Sequence, residues 1–335
     1  MTEFTLRPYE PGDEHAIVAA FNDVFRAVNG PGYVDRSLQT WNWLFRDNPA
    51  GHRIHLALTD DGTVAAQYAA LPVRAHAPGG ETVFCQIVDS FVRPEFRAGL
   101  KRPGLFIHTA RAGLADWIAR GDGLFWGLPV PQAKRISVRF LDYLEWRPLD
   151  YLCRDAGAGH DESTGRVEVS LVDDVPPGLE DLVARAASAH AVTQVRDASF
   201  LRWRYVQGPD GGYELYAARR GAELVGFLAL RPAHELVPRA CTLADWIVPA
   251  GEEEVADALL AVATARARAE DRACLMAVVP PDSEACRVFL ARGFEVVPSA
   301  QTTYRSIGVR ATRPDLRPEA LERDWWYTLG DTDLV

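Results

Sequence analysis

Lysine is nearly missing from this chain: Lys101 and Lys134 are the only two in 335 residues. Arginine supplies the rest of the 36 basic residues, and 46 acidic residues leave a net charge of −10. Nucleic-acid affinity rests on clustered Lys and Arg, so no nucleic-acid partner is expected. No apolar run approaches the roughly 20 residues needed to cross a bilayer, so no membrane partner is expected. The five cysteines (Cys85, Cys153, Cys241, Cys274, Cys286) are scattered, odd in number and without the paired spacing of metal ligands. Residues 1–7 carry no basic-then-apolar leader, and a reducing cytoplasm is the expected compartment. What remains, 48% hydrophobic and 24% charged residues, is the balance of a folded globular chain. The acidic excess suits small cationic amines as ligands, through encounter rate more than chemistry.

The chain repeats itself. Trp43, Pro49 and Gly51 return as Trp203, Pro209 and Gly211 at one constant offset. Each group precedes a strand pair with a tight Gly turn: residues 54–59 and 64–71 around Gly62, then 213–218 and 224–231 around Gly221. Val88-Asp89-Ser90-Phe91-Val92 is echoed by Ala244-Asp245-Trp246-Ile247-Val248, and Phe140-Leu141 with Glu145 by Phe289-Leu290 with Glu295. The order and spacing of these matches imply an internal duplication. Helical periodicity predicts helices over 14–26, 104–120, 252–268 and 283–292. Each copy reads β, α, β, β, β, α, β, α, β, which points to a mixed α/β fold and not a doubly wound sheet. Domains are expected at 1–155 and 167–310, with a small-polar linker at 156–166 and a tail at 311–335. The Trp325-Trp326-Tyr327 run is too apolar to stand in solvent, so the tail is expected to dock on the body.

The copies differ most after the Asp-containing strand. In the first copy Arg93-Pro94-Glu95-Phe96-Arg97-Ala98-Gly99-Leu100-Lys101-Arg102-Pro103 leads into the helix that opens at Gly104-Leu105. A basic, Gly-containing loop before a helix N-terminus suits an anion: backbone N–H groups and the helix dipole face it. Arg97, Lys101 and Arg102 would add charge-assisted hydrogen bonds to a pyrophosphate. The second copy has Glu252-Glu253-Glu254 there, which would repel a phosphate, so the first copy is expected to bind and the second not.

Val92 to Gly99, with Gly104-Leu105-Phe106, resembles the pyrophosphate loop of the GNAT superfamily of N-acetyltransferases, with extra residues from Leu100 to Pro103. Ala291-Arg292-Gly293-Phe294-Glu295 resembles the end of the last conserved helix of that fold. The ending from Trp325 to Asp333 is similar to that of tandem members. The resemblance implies two tandem GNAT-like domains, each a mixed, mostly antiparallel sheet flanked by helices, the second degenerate. It implies acetyl-CoA, or another acyl-CoA, in a wedge between strands at 85–92 and 124–128. Backbone groups near Phe91 and Val92 would hold the pantetheine arm, Arg93, Arg97, Ala98, Gly99, Leu100, Lys101, Arg102, Gly104 and Leu105 the phosphates, and Lys134, Arg135 and Ser137 would also reach the coenzyme.

Acyl transfer to an amine needs a base for the amine proton and an acid for the departing thiolate. Asp89, two residues before Phe91 on one strand face, is the candidate base, although Asp245 at the matching place argues for a shared structural hydrogen bond. The family often uses a tyrosine in the last helix as acid; the matching positions here are near Phe140 and Phe289, and Tyr143 is the nearest substitute. His55, His76 and the repeated Trp41, Trp43 and Trp203 are expected to be structural, and Cys85 has no His neighbour in sequence. The expected function is acetyl transfer to a small-molecule primary amine by a monomer or homodimer. An aminoacyl transferase using a tRNA or carrier-protein donor and a non-catalytic acyl-CoA sensor are the alternatives. No metal is expected.

Overall fold

The computed structural model describes residues 3–97, 103–158, 165–209, 211–233, 236–237, 239–301 and 305–334. The first sequence half forms β1 (Thr5–Pro8), α1 (Glu14–Asn29), α2 (Leu38–Trp41), β2 (Arg53–Leu58), β3 (Val64–His76), β4 (Thr82–Val92), α3 (Leu105–Ala119), β5 (Leu124–Gly127), α4 (Pro131–Phe140), β6 (Leu144–Pro148) and β7 (Tyr151–Asp155). The second forms β8 (Glu168–Val172), α5 (Leu179–Ala187), β9 (Val192–Gln194), α6 (Ala198–Leu201), β10 (Glu214–Arg220), β11 (Glu223–Arg231), β12 (Ala240–Ile247), α7 (Glu253–Ala269), β13 (Cys274–Ala277), α8 (Glu284–Ala291) and β14 (Glu295–Val297). It closes with β15 (Ser306–Ala311), α9 (Pro318–Asp324) and β16 (Trp325–Trp326).

These elements form two compact units that do not follow the sequence halves. The first comprises Met1–Arg74, Glu81–Arg147 and Ser306–Arg317; the second comprises Ala75–Gly80, Pro148–Arg305 and Pro318–Val335. The sheet of the first unit runs β1-β2-β3-β4-β5-β15-β6. That of the second runs β14-β7-β13-β12-β11-β10-β8. Each is mostly antiparallel with one parallel step, β4 beside β5 and β12 beside β13. The last strand of each half is thus exchanged. β15 lies against β5 through Val309↔Trp126, and β7 against β13 through Cys153↔Met276. Thr312 secures the end of β15 by donating from Oγ1 to the Asp122 carbonyl at 2.8 Å.

In the first unit, alternation along β3 divides the core. Ala69 and Leu71 join Ile17, Phe21, Phe45 and Phe91 on one face; Tyr68 and Ala70 join Ile107, Leu114, Trp117 and Phe125 on the other. Helix α1 buries Ile17, Ala20, Phe21 and Val24 at helical spacing and ends at Gly30, whose φ of 76° only glycine adopts without strain. Trp41 and Trp203 are core residues, whereas Trp43, the residue that Trp203 repeats, is half-buried.

The repeat extends to fine geometry. Ser37 caps α2 by accepting from Thr40 N, and Asp197 caps α6 by accepting from Phe200 N. Each short helix then widens into one turn of i→i+5 bonding: Asp47 N donates to Asn42 O at 2.8 Å, and Gln207 N to Arg202 O at 2.9 Å. In the second unit α7 covers β11 to β13, burying Val255, Leu259, Leu260 and Ala263. There too Ala75 and His76 pair with β9, and β9 pairs in parallel with β16.

Candidate functional site

In the first unit β4 pairs with β5 only through Phe84, Cys85 and Gln86, opposite Leu124, Phe125 and Trp126. Beyond Gln86 the strand continues to Val92 beside β3 but without β5, which leaves a wedge at the open end of the parallel step. The strand is distorted here: Asp89 has φ 48°, and Ala69 N donates to the Ser90 hydroxyl at 3.1 Å, as at a bulge. Gln67 secures the distortion by donating from Nε2 to the Asp89 carbonyl at 2.8 Å. Gly127 faces Ile87; a Cβ there would lie 3.2 Å from the Ile87 carbonyl oxygen.

After β4 the chain turns through Pro94–Phe96. Arg93 is tied down: its Nε donates to the Val64 carbonyl, and its guanidinium lies 3.3 Å from Asp23. Arg97 donates from Nε to the Val92 carbonyl at 3.2 Å. Ala98, Gly99, Leu100, Lys101 and Arg102 lie outside the described residues. Helix α3 opens at Gly104 with no side-chain cap and no acidic residue in its first turn. Among the described residues nothing acidic stands at its positive dipole end, the end that favours an anion. Leu105 is half-buried, and Phe91 is buried against Phe21 with ring centroids 6.3 Å apart, so backbone rather than side chain faces the wedge at Phe91. Val92 is also half-buried. Lys134 forms an ion pair with Glu145 at 2.6 Å, and the Ser137 hydroxyl donates to the Lys134 carbonyl.

Both proposed proton carriers are engaged. Asp89 pairs with Arg36, whose guanidinium also lies 4.3 Å over the Phe21 ring. Tyr143 is buried, its hydroxyl 2.9 Å from that of Tyr68, and burial pushes its pKa well up. Cys85 is buried too; its thiol, held up by burial and by the Asp122 carboxylate, contacts Asp122 at 3.4 Å, and Asp122 accepts both arms of Arg53. His55 is packed beneath Gly113 of α3, and burial lowers its pKa.

The partner of Asp89 was missed in the sequence, although the signal was there. The offset that carries Trp43 to Trp203 also carries Arg36 to Arg196, and Arg196 grips Asp245 with Nε at 3.0 Å. In the second unit this pair is fully buried and joined by Asp331 and Thr328 of the tail. Burial alone would lower the Arg196 pKa, but Asp245 and Asp331 outweigh it and hold it raised. The second unit also has an open wedge: β12 pairs with β13 from Ala240 to Leu243 and then runs on to Ile247. Beside it lies a cavity of about 290 Å³, lined by α5, β9, the 248–253 turn, the starts of α7 and α8, and Trp326.

No protein-family model and no curated protein matches the chain. Solved structures do. A probable N-acyltransferase of unknown function from Enterococcus faecalis aligns over 95% of this chain and 74% of its own, at 12% identity and a TM-score of 0.66. A GCN5-related N-acetyltransferase from Kribbella flavida covers 92% and 71%, at 14% identity and a TM-score of 0.65. A tandem GNAT protein from the clavulanic acid biosynthesis pathway covers 93% and 99%, at 14% identity and a TM-score of 0.56. At these identities what is shared is the architecture: the chain has the tandem fold of the GCN5-related N-acetyltransferases.

Proposed function

We propose that the chain is an acyl-CoA-dependent N-acyltransferase that moves an acetyl group from acetyl-CoA to the primary amine of a small molecule by direct attack in a ternary complex. The observation that carries this reading is the parting of β4 from β5 directly ahead of an uncapped, acid-free helix start. The thioester supplies an already activated acyl group; the C–N bond forms as the C–S bond breaks. Arg97, with Lys101 and Arg102 of the loop, would take the pyrophosphate beside the α3 amides, while Phe91 and Val92 offer backbone to the pantetheine arm. Asp89 is the proposed acceptor of the amine proton, held in place by Arg36. Tyr143 is the proposed donor to the thiolate, its hydroxyl sharing a proton with Tyr68. The acceptor, the cytoplasmic setting and a monomeric or homodimeric state belong to the same proposal.

Calorimetric titration of acetyl-CoA tests it. One site per chain is expected, lost in Arg97→Ala/Lys101→Ala, with thiol release on adding amines from a panel. In Asp89→Asn, binding should persist while turnover falls about 100-fold. The repeated Arg–Asp pair favours a second reading, a non-catalytic acyl-CoA sensor, because the same bond stands in the unit whose loop is acidic. Binding without turnover of any amine would support that reading. Turnover only with charged tRNA or a loaded carrier protein would replace the donor.

A further inference from the structure

We infer that the second unit's wedge is a binding site in its own right, for an apolar molecule that carries a positively charged amine. The cavity there, about 290 Å³, stands near the lower end of the range for small-ligand sites. Its walls are mainly apolar: Val183, Ala187, Ile247, Val288 and the rings of Trp246 and Trp326. His190 stacks on Trp326 with centroids 4.7 Å apart, and burial, aided by Arg196, lowers its pKa and favours the neutral ring. Aromatic faces in such a setting attract cations.

The charge at this wedge is the reverse of that in the first unit. Gly251 N, a turn amide before the helix, is already satisfied by the Glu284 carboxylate at 2.7 Å. Glu284 has therefore taken a donor that a phosphate would need. Glu252 and Glu253 follow at the start of α7, and Glu180 stands across the cavity on α5. Glu252 is drawn to Arg220 at 2.8 Å, whereas Glu180 has no ion-pair partner among the described residues. Among the described residues the one arginine that lines the cavity, Arg196, is engaged by Asp245 and Asp331. Gln194, 2% exposed, also lines the cavity, and its Oε1, itself buried, has no hydrogen-bond partner among the described residues. The carboxylates of Glu180, Glu252, Glu253 and Glu284, with Arg292 standing 3.9 Å from Glu253, weigh against an anionic coenzyme and for an alkylammonium.

The inference concerns binding alone and stands whether or not the first unit transfers acyl groups. Its test is calorimetric titration of the full chain with three matched probes: octylammonium, octanol and octanoate. Octylammonium should bind about tenfold more tightly than octanol, and octanoate least. Glu180→Gln and Glu253→Gln should each weaken octylammonium about threefold and leave octanol unchanged. Val288→Trp, which fills the cavity, should abolish binding of all three. Because that variant changes a packed wall, its urea midpoint is measured alongside; if it unfolds, the two glutamine variants carry the decision. Octanoate binding as well as octylammonium, no binding of any probe, or octylammonium affinity indifferent to both glutamine variants would each overturn the assignment.

Discussion

Arg36 and Arg196 make the same bond in different surroundings. The Arg36 and Asp89 side chains are 23% and 12% exposed; those of Arg196 and Asp245 are 4% and 0%. Removing a partner from a buried network strands its charges in a poor solvent, whereas water compensates near the surface. Arg196→Met should therefore cost about 3–5 kcal/mol of stability, against about 1 kcal/mol or less for Arg36→Met, in urea unfolding read by fluorescence. The histidines add a pH dependence. Burial lowers the pKa of His52, His55 and His190, so the unfolded chain binds more protons at these sites below its own value near 6.5. Their contribution is present above that value and is lost as pH falls through the folded ones. The urea midpoint should drop between pH 7.5 and 5.5, and the drop should shrink in His55→Leu. At this scale the sequence was half legible. Asp89 and its echo stood out, but Arg36 lies 53 positions away, a separation that no local pattern reports, and the burial of Tyr143 against Tyr68 follows only from the fold.

Elements were the most legible level, because a 3.6 or 2.0 period is written in neighbouring residues. Expected helices at 104–120 and 252–268 stand as Leu105–Ala119 and Glu253–Ala269, and the hairpin strands agree to within a few residues. The tail was harder. Its aromatics announced burial, but not that Gly330 would be packed too closely to carry a side chain. A Cβ at Gly330 would lie 2.0 Å from the Tyr205 hydroxyl and 2.9 Å from the Ala244 carbonyl, while Arg204 donates to the Gly330 and Thr332 carbonyls at 3.0 and 2.7 Å. The Ala244 contact is backbone and cannot step aside. Gly330→Ala should then destabilise the second unit by about 1–3 kcal/mol, the usual cost of overpacking, visible as a lower urea midpoint with fluorescence of the tail tryptophans as reporter. The loop at 98–102 marks the other limit: its charges were plain in the sequence, but its conformation lies outside the described residues.

For the whole molecule, the duplication was legible in nine matched residues, whereas the strand exchange was not. β7 and β15 are both short runs with similar apolar content, and nothing in either says which sheet it will join. Without β15, the edge of β5 in the first unit is bare, and it belongs to a strand buried at Leu124, Phe125 and Trp126. Residues 1–155 expressed alone should therefore aggregate, and co-expression with residues 156–335 should restore a soluble complex. A soluble, monomeric 1–155 fragment on size-exclusion chromatography would count against this account.

The exchange also sets a timetable. A domain that ended where its sequence copy ends could fold while the remainder was still being made. Here the first unit waits for Ser306–Arg317, the second for the tail. At translation speeds of 5–20 residues per second, the interval between residue 147 and residue 317 is roughly ten to thirty seconds, during which an apolar strand edge has no proper mate. Nascent-chain chaperones and proteases meet this protein as an unfinished object for nearly its whole synthesis, and its yield in a cell should depend on them more than its final stability suggests.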